Sequence, residues 1–186
     1  MTPLISEKIS NQLDLIIQKA NEINRLLDRQ MSLLTIKFSM KRTSEILHPI
    51  HAHFFSLIIA DKVNGYKEKR SNDTVYLGTG DNFGNCEYGS PLELFQDSFN
   101  LIIDLESLIN ETITMSIEEE DYSTVSFLYS LLLLLNEDID LAQTLIGLVS
   151  NCNDNYVLLD GQMDDLIEKN ILILSNMFEC NKVGVE

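Results

Sequence analysis

The stretch EYGSPLELFQDSFNLIIDLESLINETITMSIEEEDYSTVSFLYSLLLLLNEDIDLAQTLIGLV, residues 87–149, decides the fold. Ser90 is placed to cap a helix, with Pro91 at the first helical position and Glu93 at the third, which is a capping box with its preferred proline. Apolar residues then recur every three or four positions, so they predict one buried helical face: Phe95, Phe99, Ile102, Leu105, Ile109 and Ile113. A long helix is therefore expected near 91–117.

A second long helix follows after a short acidic turn. The acidic run at residues 118–121 interrupts the apolar period, and Asp121 is a plausible cap for the next helix. From residue 125 to residue 149 the apolar residues are so dense that this helix must be buried on most of its surface. We expect it near 122–149.

Three segments in this region keep their mutual spacing: EYGSPLELFQ (87–96), EEDYSTVSFL (119–128) and NEDID (136–140). Together they resemble the last two long helices of bacterial non-haem ferritins. The resemblance implies an all-α protein with a ferritin-like four-helix bundle, a long crossover loop and a short fifth C-terminal helix. It predicts a single domain over 1–186, with the bundle over about 7–149 and the fifth helix over about 162–178.

The N-terminal part of the chain fits two further helices. Ser6 can cap a helix near 7–38 that carries a broad apolar stripe. A second helix is expected near 43–64, ending at Asn64-Gly65. Pro49 either kinks this helix, as the periodic apolar residues over 43–47 favour, or marks the start of regular helix. The polar, glycine-rich stretch 66–89 is too long for an ordinary connection, and a crossover along the bundle explains its length. Its apolar residues would pack on the bundle or on a neighbouring subunit: Val75, Tyr76, Leu77 and Phe83.

Composition excludes several partners. The formal net charge of −16 repels nucleic acid and anionic membranes, and the basic cluster Lys67, Lys69 and Arg70 is expected to be solvated. No window reaches the roughly 18 apolar residues of a membrane helix, and the N-terminus lacks the pattern of a signal peptide. The three cysteines are odd in number and widely spaced, which predicts reduced thiols in the cytoplasm: Cys86, Cys152 and Cys180.

The resemblance also assigns positions to the iron-oxidising centre of ferritins. A di-iron bundle needs inward carboxylates and a Glu-x-x-His motif, because iron ions prefer oxygen and imidazole ligands. The corresponding positions here are Ile17 (with Ile16 and Asn21 as other registers), Ile50, His53, Ile102, Leu135 and, one turn later, Asp138. Most of these positions carry apolar side chains. We therefore predict that the centre is lost and that the chain has no catalytic residues.

The three histidines leave two interpretations open. His48 and His51 at i and i+3 suit a shared metal ion, whereas His48 and His53 at i and i+5 should diverge on an α-helix and Pro49 disturbs the geometry. Otherwise His53 is the remainder of a former site, or all three are surface or capping side chains. The candidates for residual metal binding are His53, Glu137 and Asp138. Iron would be held as mineral or weakly at the acidic surface.

Three functions fit these observations. The first is a cage subunit that stores or passes iron without its own ferroxidase activity, in a homo-oligomer or mixed with an active ferritin subunit. The second is a structural or interaction module on the same bundle with no role in iron. The third is an active di-iron oxidase using Glu45, His48 and Asp138, which would require the second helix to shift by five residues. The dense apolar surface of the fourth helix favours an oligomer.

Overall fold

A computed structural model describes residues 4–71 and 87–163, and these are helical with no strand among them. The helices are α1 (Glu7–Ile36), α2 (Lys41–Leu47), α3 (Asp61–Ser71), α4 (Pro91–Glu118) and α5 (Tyr122–Asn151), and residues 156–163 are also helical. Two π-helical turns, His48–Ala52 and Phe55–Ala60, join α2 to α3. Residues 41–71 therefore form one continuous rod, called here the second helix.

The predicted helix starts are confirmed by their caps. The Ser6 hydroxyl accepts a hydrogen bond from the Ile9 N–H at 3.2 Å, and Ser90 accepts one from the Glu93 N–H at 3.2 Å. The Glu93 carboxylate in turn accepts from the Gly89 N–H at 2.6 Å. Asp121 caps α5 in the same way through the Thr124 N–H. Each cap satisfies backbone donors that the first helical turn leaves without partners.

Side-chain bonds between helices define the topology. The second helix runs antiparallel to α1, because Ser56 bonds to Asn24 while the later residue Lys67 bonds to the earlier Asp14. By the same reasoning α4 runs antiparallel to α1, through Gln30 with the Leu94 carbonyl and Lys19 with Asp104. The second helix and α4 therefore run parallel.

One apolar core joins the four rods. Ile16, Phe54, Ile102 and Leu135, one from each rod, all belong to the same buried cluster. Phe54 and Phe55 pack edge to face, with ring centroids 5.2 Å apart. The prediction of a four-helix bundle is confirmed.

The predicted end of the second helix at Asn64-Gly65 is wrong, because the helix continues to Ser71. A glycine inside a helix costs about 1 kcal/mol relative to alanine, and tertiary contacts outweigh that cost here. Val63, Lys67 and Ser71 are buried at intervals of four residues. Tyr66 stacks on Phe127 of α5 with ring centroids 4.1 Å apart. The second helix therefore gains packing on both sides of Gly65.

The second helix continues through Pro49. Pro49 lies in the first π turn, where the His53 N–H donates to the His48 carbonyl five residues earlier. Proline cannot donate the α-helical hydrogen bond to the residue four positions before it. A π turn is one of the known ways in which a helix continues past a missing backbone hydrogen bond.

Some predictions fall outside the described residues: the four apolar residues of the crossover, Cys86, Cys180 and the fifth helix beyond residue 163. The last described helix begins at residue 156, earlier than the predicted 162. Cys152 is a half-buried free thiol. None of the described helices is long and apolar enough to cross a membrane.

The prediction that the basic cluster at residues 67–70 is solvated is wrong for Lys67. Its ammonium lies 2.6 Å from a carboxylate oxygen of Asp14, and the Lys67 side chain is 1 % exposed. Arg70 contacts Asp121 at 3.3 Å. The helical spacing turns Lys67 towards α1, and burial of a charge requires a charged partner.

We expect Lys67→Ala to lower the free energy of unfolding by about 3–5 kcal/mol, because it leaves Asp14 buried without its closest counter-charge. Urea denaturation measures the loss. The double variant Asp14→Leu/Lys67→Met should recover most of it, since both charges are then replaced by apolar groups. The matched control is Lys69→Ala, an exposed site on the same helix, which should change stability by less than about 0.5 kcal/mol. Equal effects at both lysines would contradict a stabilising pair.

Candidate functional site

The interior positions that the resemblance equates with iron ligands are filled by apolar side chains on three of the four rods. Ile17 of α1 is 2 % exposed, and Ile102 of α4 and Leu135 of α5 are fully buried. All three belong to the common core. Aliphatic side chains offer no ligand atom, so these positions contribute packing and no coordination.

Besides Asp14 and Lys67, a second buried polar pair lies inside the bundle. His51 Nδ1 is 2.7 Å from Asp138 Oδ1, and both side chains are fully buried. Among the described residues, His51 Nε2 and Asp138 Oδ2 have no hydrogen-bond partner. Burial raises the pKa of Asp138, and the neighbouring His51 opposes that rise. Each side chain of the pair therefore has one polar atom with a hydrogen bond and one without, and a buried polar atom without a partner lowers the stability of the fold.

The histidine that faces inward is His51, not His53. His53 has a side chain that is 39 % exposed, and Ile50 is half-buried. The predicted positions of Ile50 and His53 came from counting residues back from Gly65. The π turn Phe55–Ala60 lies between Gly65 and His53, and a π turn inserts about one extra residue. His51 itself lies in the other π turn, His48–Ala52, so the inward position moves towards the N-terminus.

His53 instead belongs to a second group, with Asp28 of α1 and His48. His48 Nε2 is 3.0 Å from Asp28 Oδ1, and His53 Nε2 is 3.8 Å from the same oxygen. The two imidazole rings are tilted, with centroids 4.5 Å apart. One potential ligand atom from each of the three residues lies within 4.8 Å of the others. This group lies at the surface, where its side chains are 39–46 % exposed.

The predicted trio Glu45, His48 and Asp138 is not brought together. The Glu45 side chain is 51 % exposed and pairs with Lys41 at 3.5 Å and Arg42 at 3.6 Å. Asp138 is fully buried on the inner side of α5. His53, Glu137 and Asp138 do not converge either, since His53 faces Asp28 and Asp138 faces His51. Glu137 is half-buried beside Asp138 in the sequence.

Asp28 and the inward His51 were the residues that sequence reasoning missed. Nothing in the α1 sequence marks Asp28, but the connection after Ile36 leads directly into an antiparallel helix beginning at Lys41. In an antiparallel pair, residues equally far from the connection lie opposite each other, so residue 28 lies opposite residues near 50. An antiparallel pairing of the first two helices would therefore have pointed to the histidine segment.

Comparisons with known proteins bear on the fold. No protein-family model and no curated protein matches the chain. Among solved structures, Chlorobium tepidum ferritin is similar with a TM-score of 0.72 and 20 % identity, over 89 % of this chain and 98 % of that one.

An open-pore ferritin from the archaeon Archaeoglobus fulgidus has a TM-score of 0.75 at 20 % identity, over 85 % of this chain and 96 % of its own. A form of that ferritin engineered to be closed has a TM-score of 0.74 at 21 % identity, over 85 % of this chain and 95 % of its own. Likeness at this level of identity concerns the architecture alone. The described helices form a ferritin-like bundle.

Proposed function

We propose that this chain is a ferritin-like shell subunit that stores or passes iron and lacks a ferroxidase centre of its own. The observation that carries the proposal is the apolar filling of the bundle by Ile17, Ile102 and Leu135 within a ferritin-like fold. Iron is then cargo, held outside the bundle core. The proposal extends to a single domain over 1–186 and to the cytoplasm as its compartment.

The chemistry of a di-iron centre supports the absence of that activity. Two iron ions in a bundle are held by several carboxylates and by histidine, all directed inward. Here the carboxylates buried among the described residues are Asp138, which bonds to His51, and Asp14, which pairs with Lys67. Two carboxylates that already have partners cannot offset the charge of two buried divalent ions.

The exposed face of α5 supports assembly. Tyr122, Tyr129 and Leu133 are 66 %, 52 % and 68 % exposed. Their spacing of seven and four residues places them on one side of the helix. A row of large apolar side chains in water is typical of a protein–protein contact. We infer a homo-oligomer, in the form of a cage like those of ferritins, with an active ferritin subunit as a further component to be tested.

Acidic side chains provide the means of holding iron in this proposal. The net charge of −16 attracts cations. Asp140 and Glu137 near the middle of α5 are candidates for mineral contacts. The second candidate function is a structural module with no iron, and iron analysis of protein purified from its own source separates the two.

We expect added Fe(II) to be oxidised no faster than in buffer containing a matched acidic protein, because the described interior lacks a set of converging ligands. Stopped-flow absorbance of Fe(III) formation at neutral pH measures the rate. The His51→Leu/Asp138→Leu variant should give the same rate as the unmodified protein. A rapid phase that consumes about two Fe(II) per chain, and that this variant loses, would overturn the assignment.

We expect the protein to elute far above its chain mass of 21.2 kDa, as a closed symmetric oligomer. Light scattering coupled to size-exclusion chromatography measures the mass. Leu133→Lys should yield smaller species, because it places a charge in an apolar contact, whereas Gln143→Lys on the same helix should not. Truncation after Asp160 should also give smaller species, such as dimers, with the bundle still folded. A stable monomer would favour the independent module.

We expect Asp138→Asn to change the pH dependence of stability, because the asparagine keeps an acceptor for His51 without a charge. Burial raises the pKa of Asp138 above its usual 3.8. The folded chain therefore binds this proton more tightly than the unfolded chain does. The free energy of unfolding falls as pH rises from 3.8 through the raised pKa, and it stays lower above that value.

The Asn variant should lack this fall, so its advantage over the unmodified protein should grow with pH. Urea denaturation from pH 4 to pH 8 tests the expectation. Asp140→Asn, at an exposed site two residues away, is the control and should follow the unmodified protein. A constant offset between the Asp138→Asn and unmodified curves would contradict the raised pKa of Asp138.

A further inference from the structure

We propose that Asp28, His48 and His53 form a binding site for one divalent first-row transition-metal ion on the surface between α1 and the second helix. The site is separate from the bundle interior and does not rest on the proposed role in iron storage. Two imidazoles and one carboxylate suit Zn(II), Co(II), Ni(II) or Fe(II), whereas Mg(II) and Ca(II) prefer sets made of oxygen alone.

A hydrogen-bonded pair accounts for only two of the three members of the group. His48 Nε2 is within hydrogen-bond reach of Asp28 Oδ1 at 3.0 Å, but His53 Nε2 at 3.8 Å is beyond it. His53 nevertheless presents the same nitrogen to the same oxygen. Ligand atoms that are each about 2.1 Å from an ion lie at most about 4.2 Å apart. Small rotations of these exposed side chains bring the three atoms, now within 4.8 Å, into that range.

The π turn explains how His48 and His53 can share an ion. On an α-helix, side chains five residues apart point in directions that differ by more than a quarter of a turn. For this reason the sequence alone predicts that His48 and His53 do not share an ion. The π turn closes with the His53 N–H donating to the His48 carbonyl, which brings these residues almost one above the other. The ring centroids are consequently 4.5 Å apart. π turns of this kind are frequent at functional sites.

A chain of hydrogen bonds orients the carboxylate from behind. Asn24 Nδ2 donates to Asp28 Oδ2 at 3.0 Å, and the Ser56 hydroxyl donates to Asn24 Oδ1 at 2.8 Å. Asp28 Oδ1, the oxygen that faces both histidines, is thereby held in place. Supporting bonds of this kind fix the geometry of metal ligands and contribute to affinity.

The site is accessible to an ion from solution. An open cleft of about 340 Å³ is lined by Asp28 and His48, together with Ser44 and Glu45. Water can enter there and complete the coordination of an ion that has three protein ligands. The Glu45 carboxylate pairs with Lys41 and Arg42, so it is not counted among the ligands.

The test is a titration of the full-length protein with Co(II) in 0.15 M salt and excess Mg(II), which occupies the general acidic surface. We expect one Co(II) per chain with a visible absorption band from nitrogen ligation, displaced by Zn(II). His53→Ala and His48→Ala should each weaken binding at least about tenfold, and Asn24→Ala by about tenfold. The control Glu45→Gln changes the same cleft and should bind like the unmodified protein.

Circular dichroism tests whether each variant is folded. We expect His53→Ala to fold, because the His53 side chain is partly exposed. The site is overturned if His53→Ala binds Co(II) as tightly as the unmodified protein does. It is overturned as well if the unmodified protein shows no nitrogen-ligated band, because Asp28 and His48 would then be only a hydrogen-bonded pair. His51→Asn, which alters the buried pair, should leave the band unchanged.

Discussion

The contacts of the second helix with both α1 and α5 constrain much of the structure. This rod must pass Pro49 and Gly65 and still keep its pairing with α1 along its length, from Asp28 with His48 to Asp14 with Lys67. Two π turns shift the helical register between those contacts. They set which side chains face inward, so the register of the histidines follows from a backbone feature and not from helical periodicity alone.

The interior shows the energetic consequence of replacing ligands by apolar residues. Ile102 and Leu135 gain hydrophobic burial that a carboxylate at the same place would forfeit. The buried pair of His51 and Asp138 keeps one hydrogen bond but leaves a polar atom on each partner without one. Such a pair contributes little to the stability of the fold. Removing either member alone would nevertheless be destabilising, because the other would remain buried without a hydrogen-bond partner.

The sequence was sufficient to predict features governed by local chemistry. Ser6, Ser90 and Asp121 cap their helices as expected, and the apolar stripes identify the core. The inward histidine, the burial of Lys67 and the role of Asp28 depend on pairing between helices and on non-α turns. Pairing between helices and non-α turns do not produce a recognisable spacing of residues in a single sequence. The helix end predicted at Asn64-Gly65 failed for a related reason, since packing outweighed the intrinsic cost of glycine.

Charge distribution links the buried pairs to the surface group. Residues 41–71 hold six of the 13 lysines and arginines and all three histidines, in a chain of net charge −16. Acidic residues of α1 meet this rod at Asp14 with Lys67 and at Asp28 with His48, and Asp138 of α5 meets it at His51. Asp14 meets an ammonium group, whereas Asp28 and Asp138 meet imidazoles. Asp28 differs from Asp138 in facing two imidazoles and in being open to solvent. A cation bound between Asp28 and the two imidazoles would supply the charge that a lysine supplies at Asp14.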